Sequence, residues 1–372
     1  MFWAGPLSAD AGRLWYKTAR DQLITQGFTP SDNDPSYFYK VFDQGTRIDM
    51  SLYVDDAWVT DDAGADADRE LAVFAKRFAI QIQDTPTQFL GLNTTVERER
   101  ISISSAAYVE GLASKNLPRT VESYNAFNTP YSSSFVADYE TAQLREHAVD
   151  PALAKSFGTK VGGLIYAAPT ARVDCSWLIG MLARCLTFPT AALDAAADRA
   201  IAYLYQNRTD SVVFSKSGGD LEPVAYSDSN WEVQPSTTGW LIKVAGACVA
   251  YASKRQQCIS LSSTQAEIMA ASAAATEIVY QRSLMREMGI VLDKPTVLYV
   301  DNTSAIAVAK DARSCVRTRH VKRRYLKIRE LIDAGHIELR YVNTTDNCAD
   351  LLTKALPRVD FQRHKDALMH YA

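Results

Sequence analysis

Residues 222–253 read EPVAYSDSNWEVQPSTTGWLIKVAGACVAYAS, and their pattern decides the fold. The runs 222–231, 237–244 and 247–253 are rich in aromatic and β-branched residues and bounded by polar or turn residues, as strands are. Only Ala245-Gly246 separates the last two, which predicts a tight hairpin. Moving outward, an alanine-rich run over 264–288 has helical spacing and stops at Gly289. Residues 296–300 predict a fourth strand, 302–310 a short helix, 319–334 a basic helix stopped by Gly335, and 337–342 a fifth strand. A closing helix is expected over 348–356, before Pro357. Three strands in series, a helix, then two strands separated by helices make an α/β unit with a five-stranded mixed sheet and flanking helices.

Four carboxylates fall at special places in this unit. Asp228 lies within the first strand, Glu267 in the first turns of the long helix, Asp301 at the end of the fourth strand and Asp350 at the start of the last helix. Each has a plain structural reading. Thr264 to Glu267 fits a capping box. Asp301 fits a helix cap. Asp350 suits the positive end of a helix dipole. Asp228 fits an exposed edge-strand position. Taken together, those readings leave the residues flanking the four acids unexplained.

The whole chain has 372 residues, enough for two or three domains. Apolar residues make up 47% and charged residues 22%, which excludes global disorder. The formal net charge is −3, so a nucleic-acid surface must be local. One local candidate exists: Arg317, Arg319, Lys322, Arg323, Arg324, Lys327 and Arg329 fall in one stretch with no acid among them. On a helix they leave Val321, Tyr325 and Ile328 to pack. A solvated charged helix is the plain reading; beside a carboxylate site, a handle for phosphates is the other. The six cysteines show no metal-ligand spacing, and a reducing compartment is the default. No signal peptide or membrane-length apolar run is read, so no membrane partner is expected.

Upstream, helices are expected over 12–27 and 68–79, strands over 36–42, 47–54 and 57–60, and a hairpin and helix over 89–115. Residues 131–160 read as a polar linker, and 161–206 as a helical block broken at Pro169 and Pro189.

The flanking residues carry a resemblance. Tyr226-Ser227-Asp228 with Trp231, Ser236-Thr237-Thr238-Gly239-Trp240, Ser253-Lys254-Arg255-Gln256, and Leu261-Ser262-Ser263-Thr264 with Ala266-Glu267 resemble, in order, the C-terminal part of copia-type LTR retrotransposon polyproteins. So do Asp301-Asn302 with Ala305-Ile306, Arg317-Thr318-Arg319-His320 and Ala349-Asp350-Leu351-Leu352-Thr353-Lys354. The last domain of that family is a ribonuclease H. The resemblance implies that Asp228, Glu267, Asp301 and Asp350 are catalytic metal ligands. They would hold Mg²⁺ (Mn²⁺ being the alternative), two ions roughly 3.5–4 Å apart that clamp the attacking water and the leaving oxygen. Departures are Gln265 where a Glu is usual, Asn230 for Asp, Leu326 for His, and no His in 343–347.

In the N-terminal half, Leu52-Tyr53-Val54-Asp55-Asp56 resembles the Y-x-D-D hairpin of a reverse transcriptase palm. Ala11-Gly12-Arg13-Leu14-Trp15-Tyr16, Gln26-Gly27-Phe28-Thr29, Asp34-Pro35 and Phe89-Leu90-Gly91 match the same family in order, the last as its primer grip. Val161 to Tyr166, Arg172 with Asp174, and Tyr203-Leu204 resemble its connection region. Asp55 and Asp56 are retained, but the third polymerase carboxylate is not found upstream, so no DNA synthesis is expected of this chain alone.

The expected organisation is therefore an α+β reverse transcriptase palm/thumb remnant (1–130), a linker and helical connection (131–220), a ribonuclease H-like domain (221–357) and a tail (358–372). RNA–DNA hybrid and template/primer are the expected partners, with other retroelement polyprotein products beside them. A cytoplasmic virus-like particle or the nucleus is the expected location. The alternative is a non-catalytic relic or a co-opted nucleic-acid-binding protein.

Overall fold

Val224–Asn230, Thr237–Val244 and Ala247–Arg255 pair as consecutive antiparallel strands. The hairpin between the last two turns at Ala245 and Gly246, with φ of 50° and 81°. A two-residue hairpin loop of this kind needs positive φ at both positions, which suits Gly246 and costs Ala245 some strain. Thr296–Val300 lies parallel to the first strand, and Ile337–Tyr341 parallel to Thr296–Val300. The result is a five-stranded mixed sheet in the order third, second, first, fourth, fifth. The computed structural model describes residues 11–54, 56–146, 148–216, 221–231, 235–310 and 319–369. They fall into two units: Met1–Leu90 with Tyr280–Val291, and Gly91–Val279 with Leu292–Ala372.

Both faces of the sheet are buried, because successive residues of a strand point opposite ways. Trp240 and Ile242 face one core with Leu298, Val300 and Leu339, covered by Ile268, Ala271, Ala274, Ala275 and Ile278 of the long helix (Ser263–Glu287). That spacing of three, three, one and three lays a narrow apolar stripe along the helix. Leu241 points the other way, into a core shared with Leu351, Leu352, Phe361 and a helical bundle.

The bundle begins earlier than the sequence suggests. Residues 131–160 contain a helix at Phe135–Gln143 and the start of another at Pro151–Ala171. Phe135, Tyr139 and Ala142 recur at helical spacing and are buried, an apolar face thin enough to be masked by the surrounding polar residues. Asp150 caps the second helix by accepting from Ala152 N at 2.9 Å, with Pro151 in its first turn. Pro169 does not break this helix; it sits in the last turn. Ser176–Ala183 and Ala191–Gln206 complete the block, and Arg358–Leu368 packs against it through Phe361 and Leu368.

The expected closing helix is instead a 3₁₀ segment, Cys348–Leu352. Its backbone bonds span three residues, as in Asp350 N to Asn347 O at 3.0 Å and Thr353 N to Asp350 O at 3.1 Å. The segment lies hard against the sheet at Gly239. A Cβ there would meet Thr353 Cγ2 at 2.6 Å and Leu352 Cβ at 2.9 Å. Gly239→Ala is therefore expected to destabilise the chain by about 1–3 kcal/mol, read as a lower denaturant midpoint. An unchanged midpoint would contradict this packing.

In the other unit, Tyr37–Val41, Arg47–Tyr53 and Asp56–Asp61 form an antiparallel meander with short Thr29–Pro30 at its edge. Ile48, Met50 and Leu52 alternate inward and meet Leu23 of the helix Ala11–Thr25 and Phe74 of the helix Ala65–Phe78. Glu287 of the same unit accepts from Asn33 Nδ2 at 2.8 Å and Asp32 N at 3.1 Å. No described helix is long and apolar enough to cross a membrane.

Candidate metal centre

The sheet register builds the site. Asp228 sits in the first strand opposite Gly239. On the parallel neighbour Val300 is level with Ser227, so Asp301, one residue on, comes level with Asp228. Glu267 enters from the first turns of the long helix. One carboxylate oxygen from each of Asp228, Glu267 and Asp301 lies within 4.8 Å of the others.

The plain readings of these acids fail one by one. The capping box falls two residues earlier than Thr264–Glu267. Ser262 Oγ accepts from Gln265 N at 3.2 Å, and Gln265 Oε1 accepts from Leu261 N at 3.0 Å. Gln serves this position as well as Glu, which accounts for Gln265. Asn302, not Asp301, caps the next helix by accepting from Ala305 N at 2.9 Å. Asn347 caps the 3₁₀ segment by accepting from Ala349 N at 3.2 Å. Asp228 is not an exposed edge residue; it is 3% exposed and its strand is central. Polar neighbours do the capping, and the carboxylates point elsewhere.

Glu267 Oε1 accepts from Ser229 N at 3.1 Å and Ser229 Oγ at 2.9 Å. Its Oε2 is buried with no hydrogen-bond partner among the described residues. Such an atom is costly unless a ligand completes it. Asp350 lies beside this triad but outside it. Its Oδ1 is 2.9 Å from Lys354 Nζ, which also reaches Asp228 Oδ2 at 3.8 Å. The Thr353 hydroxyl donates to Asp228 Oδ2, and Asn347 Nδ2 donates to Ser227 O at 3.1 Å. These contacts pin the 3₁₀ segment to the first strand. No sequence spacing points to Ser229 or Thr353; the spacing of four from Asp350 points to Lys354 alone.

The electrostatics match the crowding. Burial, then the charges of Asp228 and Asp301, push the Glu267 carboxyl well above its usual range. Burial and Asp228 raise Asp301. Burial and Asp228 push Asp350 up to about 8, with Lys354 acting against them. An all-oxygen donor set, a buried partnerless oxygen and mutual repulsion fit a hard divalent cation such as Mg²⁺ or Mn²⁺.

A pH dependence follows for the metal-free chain. Asp350 holds its proton up to about 8 when folded and releases it near 4 when unfolded. The folded state thus binds more protons between those values, and Glu267 and Asp301 act in the same sense. Stability is expected to be greatest below the unfolded value and to fall as pH rises through about 8. Thermal midpoints of metal-free chain across that range check the sign, and added Mg²⁺ should restore most of the loss. A midpoint that rises with pH would contradict it.

The remaining candidates are less fully placed. Asp55 lies outside the described residues; Asp56 is exposed and opens the strand Asp56–Asp61, paired with Tyr53 across the hairpin. Arg317 also lies outside the described residues. Arg319, Lys322, Arg323, Arg324 and Lys327 lie on the helix Arg319–Asp333. Lys327 is exposed and donates to Thr276 Oγ1 at 2.7 Å, while Ile328 is buried against the sheet.

No family model matches the chain. The retrovirus-related Pol polyprotein of transposon TNT 1-94 from Nicotiana tabacum is 28% identical over 371 residues, 97% of this chain and 27% of that protein. That of transposon RE2 from Arabidopsis thaliana is 30% identical over 367 residues, 95% of this chain and 24% of that protein. The chain thus spans about a quarter of the length of these curated relatives. A foamy viral protease-reverse transcriptase in complex with RNA/DNA hybrid superposes with a TM-score of 0.47 at 11% identity, covering 95% of this chain and 40% of that one. With the motifs in order along nearly its whole length, the chain matches the Pol polyproteins of copia-type LTR retrotransposons over 95% or more of its residues.

Proposed function

We propose that this chain is a divalent-metal-dependent ribonuclease H, hydrolysing the RNA strand of RNA–DNA hybrids. The observation that carries the reading is the convergence of Asp228, Glu267 and Asp301 around a buried carboxylate oxygen that lacks a partner. Asp350 is the fourth carboxylate of the site. A bound divalent ion would activate water and stabilise the leaving oxygen of a phosphodiester. The chain's own part is positioning. Ser229 orients Glu267, Thr353 orients Asp228, and the parallel strands set the spacing of Asp228 and Asp301.

In the same proposal the basic residues Arg317, Arg319, Lys322, Arg323, Arg324 and Lys327 bind the phosphate backbone, so hybrid binding weakens with salt. The 2′-hydroxyls of one strand mark the strand to be cut. The test is a hybrid with its RNA end-labelled, incubated with the chain and Mg²⁺. RNA fragments are expected, none with a chelator, and none when the DNA strand carries the label. Hybrid that is bound in a salt-dependent way while the RNA stays intact would replace this reading by a binding function without catalysis.

A further inference from the structure

Ser253-Lys254-Arg255-Gln256 supply nothing to the carboxylate site, yet they are fixed beside it. Gln256 is buried, and its Nε2 donates to Thr238 Oγ1 at 3.0 Å and to Ala266 O at 3.1 Å. Its backbone N donates to Ser236 O at 2.8 Å. Ala266 precedes Glu267, so the end of the strand Ala247–Arg255 is tied to the turn that presents that carboxylate. Arg255 pairs with Thr237, and Thr237 with Asn230, two residues on from Asp228. Cross-strand partners share a face, so Arg255, Thr237 and Asp228 belong to the same face of the sheet. Two strand spacings and two residue steps separate Arg255 from Asp228, roughly 12 Å between Cα atoms. A second arginine reaches the same place from the helical bundle. Ser176–Ala183 lies against this strand, where a Cβ on Gly180 would meet Ser253 O at 3.7 Å. Arg184, directly after that helix, donates from Nη2 to the buried Thr237 hydroxyl at 3.0 Å.

Each arginine alone has a plain reading. Charges on an edge strand block pairing with another chain, and a cation suits a helix C-terminus. Neither reading explains why two guanidinium groups come to one threonine. Like charges brought together cost energy that a carboxylate would ordinarily offset. Among the described residues, no carboxylate pairs with Arg184 or Arg255. Arg255 is exposed and Arg184 half-buried. The basic helix Arg319–Asp333 packs through Ile328 against the opposite face of the sheet, so this pair is a separate positive surface.

We propose that Arg184 and Arg255 clamp one phosphate of the hybrid backbone a few base steps from the phosphate that is cut, and so fix where the cut falls. This rests on the hybrid-cleaving reading above and refines it. A guanidinium offers paired N–H donors that match phosphate oxygens, and one phosphate between two of them balances the charge. At about 3.4 Å of duplex axis per base pair, the separation from Asp228 amounts to roughly three to four steps.

The experiment uses the full chain and a short hybrid of defined ends carrying one uncharged methylphosphonate, moved along the backbone position by position. Binding is read by fluorescence anisotropy in the Asp301→Asn background, and cut positions with the carboxylates intact. At one position a few steps from the cut, the methylphosphonate should weaken binding about tenfold. Arg184→Gln or Arg255→Gln should weaken binding of unmodified hybrid by a similar factor and make that methylphosphonate nearly neutral. Cut positions should spread in both variants, and Arg255→Lys should recover part of the affinity. Lys254→Gln removes a neighbouring charge from the other face of the strand and should keep the wild-type profile and cut positions. A methylphosphonate profile unchanged by both arginine substitutions, or the same change in Lys254→Gln, would overturn the clamp and leave the nuclease standing. Hybrid neither bound nor cut by wild type would overturn the reading on which the clamp rests. If Arg184→Gln lowers the thermal midpoint, Arg255→Gln, at an exposed position, decides alone.

Discussion

Asp301→Asn is expected to give a folded chain that binds hybrid and does not cut it. Asp301 follows directly on the fourth strand, so the substitution leaves the backbone bonds of the sheet in place. Its carboxyl is raised by burial and by Asp228, so the charge is a burden on the metal-free fold. Removing that charge should leave the thermal midpoint of metal-free chain equal or higher. The same change removes one of three converging oxygens. If the ion supplies several kcal/mol of transition-state stabilisation, losing its hold lowers the cleavage rate at least about 10²–10³-fold. Initial rates beside thermal unfolding separate the two effects. Equal rates in both proteins would show that Asp301 holds nothing the reaction needs.

The second large effect lies away from the site. Arg172 is fully buried and grips Asp174 with both arms, Nε to Oδ1 at 3.0 Å and Nη2 to Oδ2 at 2.7 Å. It also donates to the carbonyls of Leu204 and Asn207, at 3.3 and 2.9 Å. The Tyr203 hydroxyl donates to Asp174 Oδ2 at 2.9 Å. Burial alone would raise the Asp174 carboxyl; the Arg172 guanidinium more than offsets it and holds the group below its usual range. Nearby, Lys365 of the last helix pairs with Asp210 at 2.6 Å. Arg172→Met keeps much of the volume but leaves Asp174 charged and buried, with two carbonyls short of a donor. The expected cost is about 3–5 kcal/mol in denaturant unfolding. Pairing it with Asp174→Leu should recover much of that loss, because the uncompensated charge then disappears. A loss under about 1 kcal/mol for Arg172→Met would contradict the account of this pair.

The five-stranded mixed sheet was largely legible because its signals agree with one another. Thr237–Val244 and Thr296–Val300 are strands to the residue, and Gly289 and Gly335 take the positive φ that ends a helix. The capping box was legible only in kind. Ser262–Gln265 and Thr264–Glu267 both satisfy the motif, and the choice between them depends on Ser229 reaching Glu267 from another strand. The 3₁₀ geometry of Cys348–Leu352 follows from close packing on Gly239, which no local pattern encodes. The helix Phe135–Gln143 buries so few side chains that its serine-rich surroundings hide it. Lys354 shows the deeper limit. Its spacing from Asp350 is local, but its second partner, Asp228, comes from the far end of the unit. The convergence of Asp228, Glu267 and Asp301 was foreseen as a group of four; the structure brings three to one point and gives Asp350 a lysine.

Whether these carboxylates gather a divalent ion that cleavage of hybrid requires is read from one titration. Metal-free chain above about pH 8, where the Asp350 carboxyl has given up its proton, receives increasing Mg²⁺. Thermal midpoint and RNA-strand cleavage of hybrid are read on the same samples. The account predicts that both rise together with the same half-saturation, and that neither rises in Asp301→Asn. Cleavage that proceeds without metal-linked stabilisation, or metal-linked stabilisation undiminished in Asp301→Asn, would contradict it.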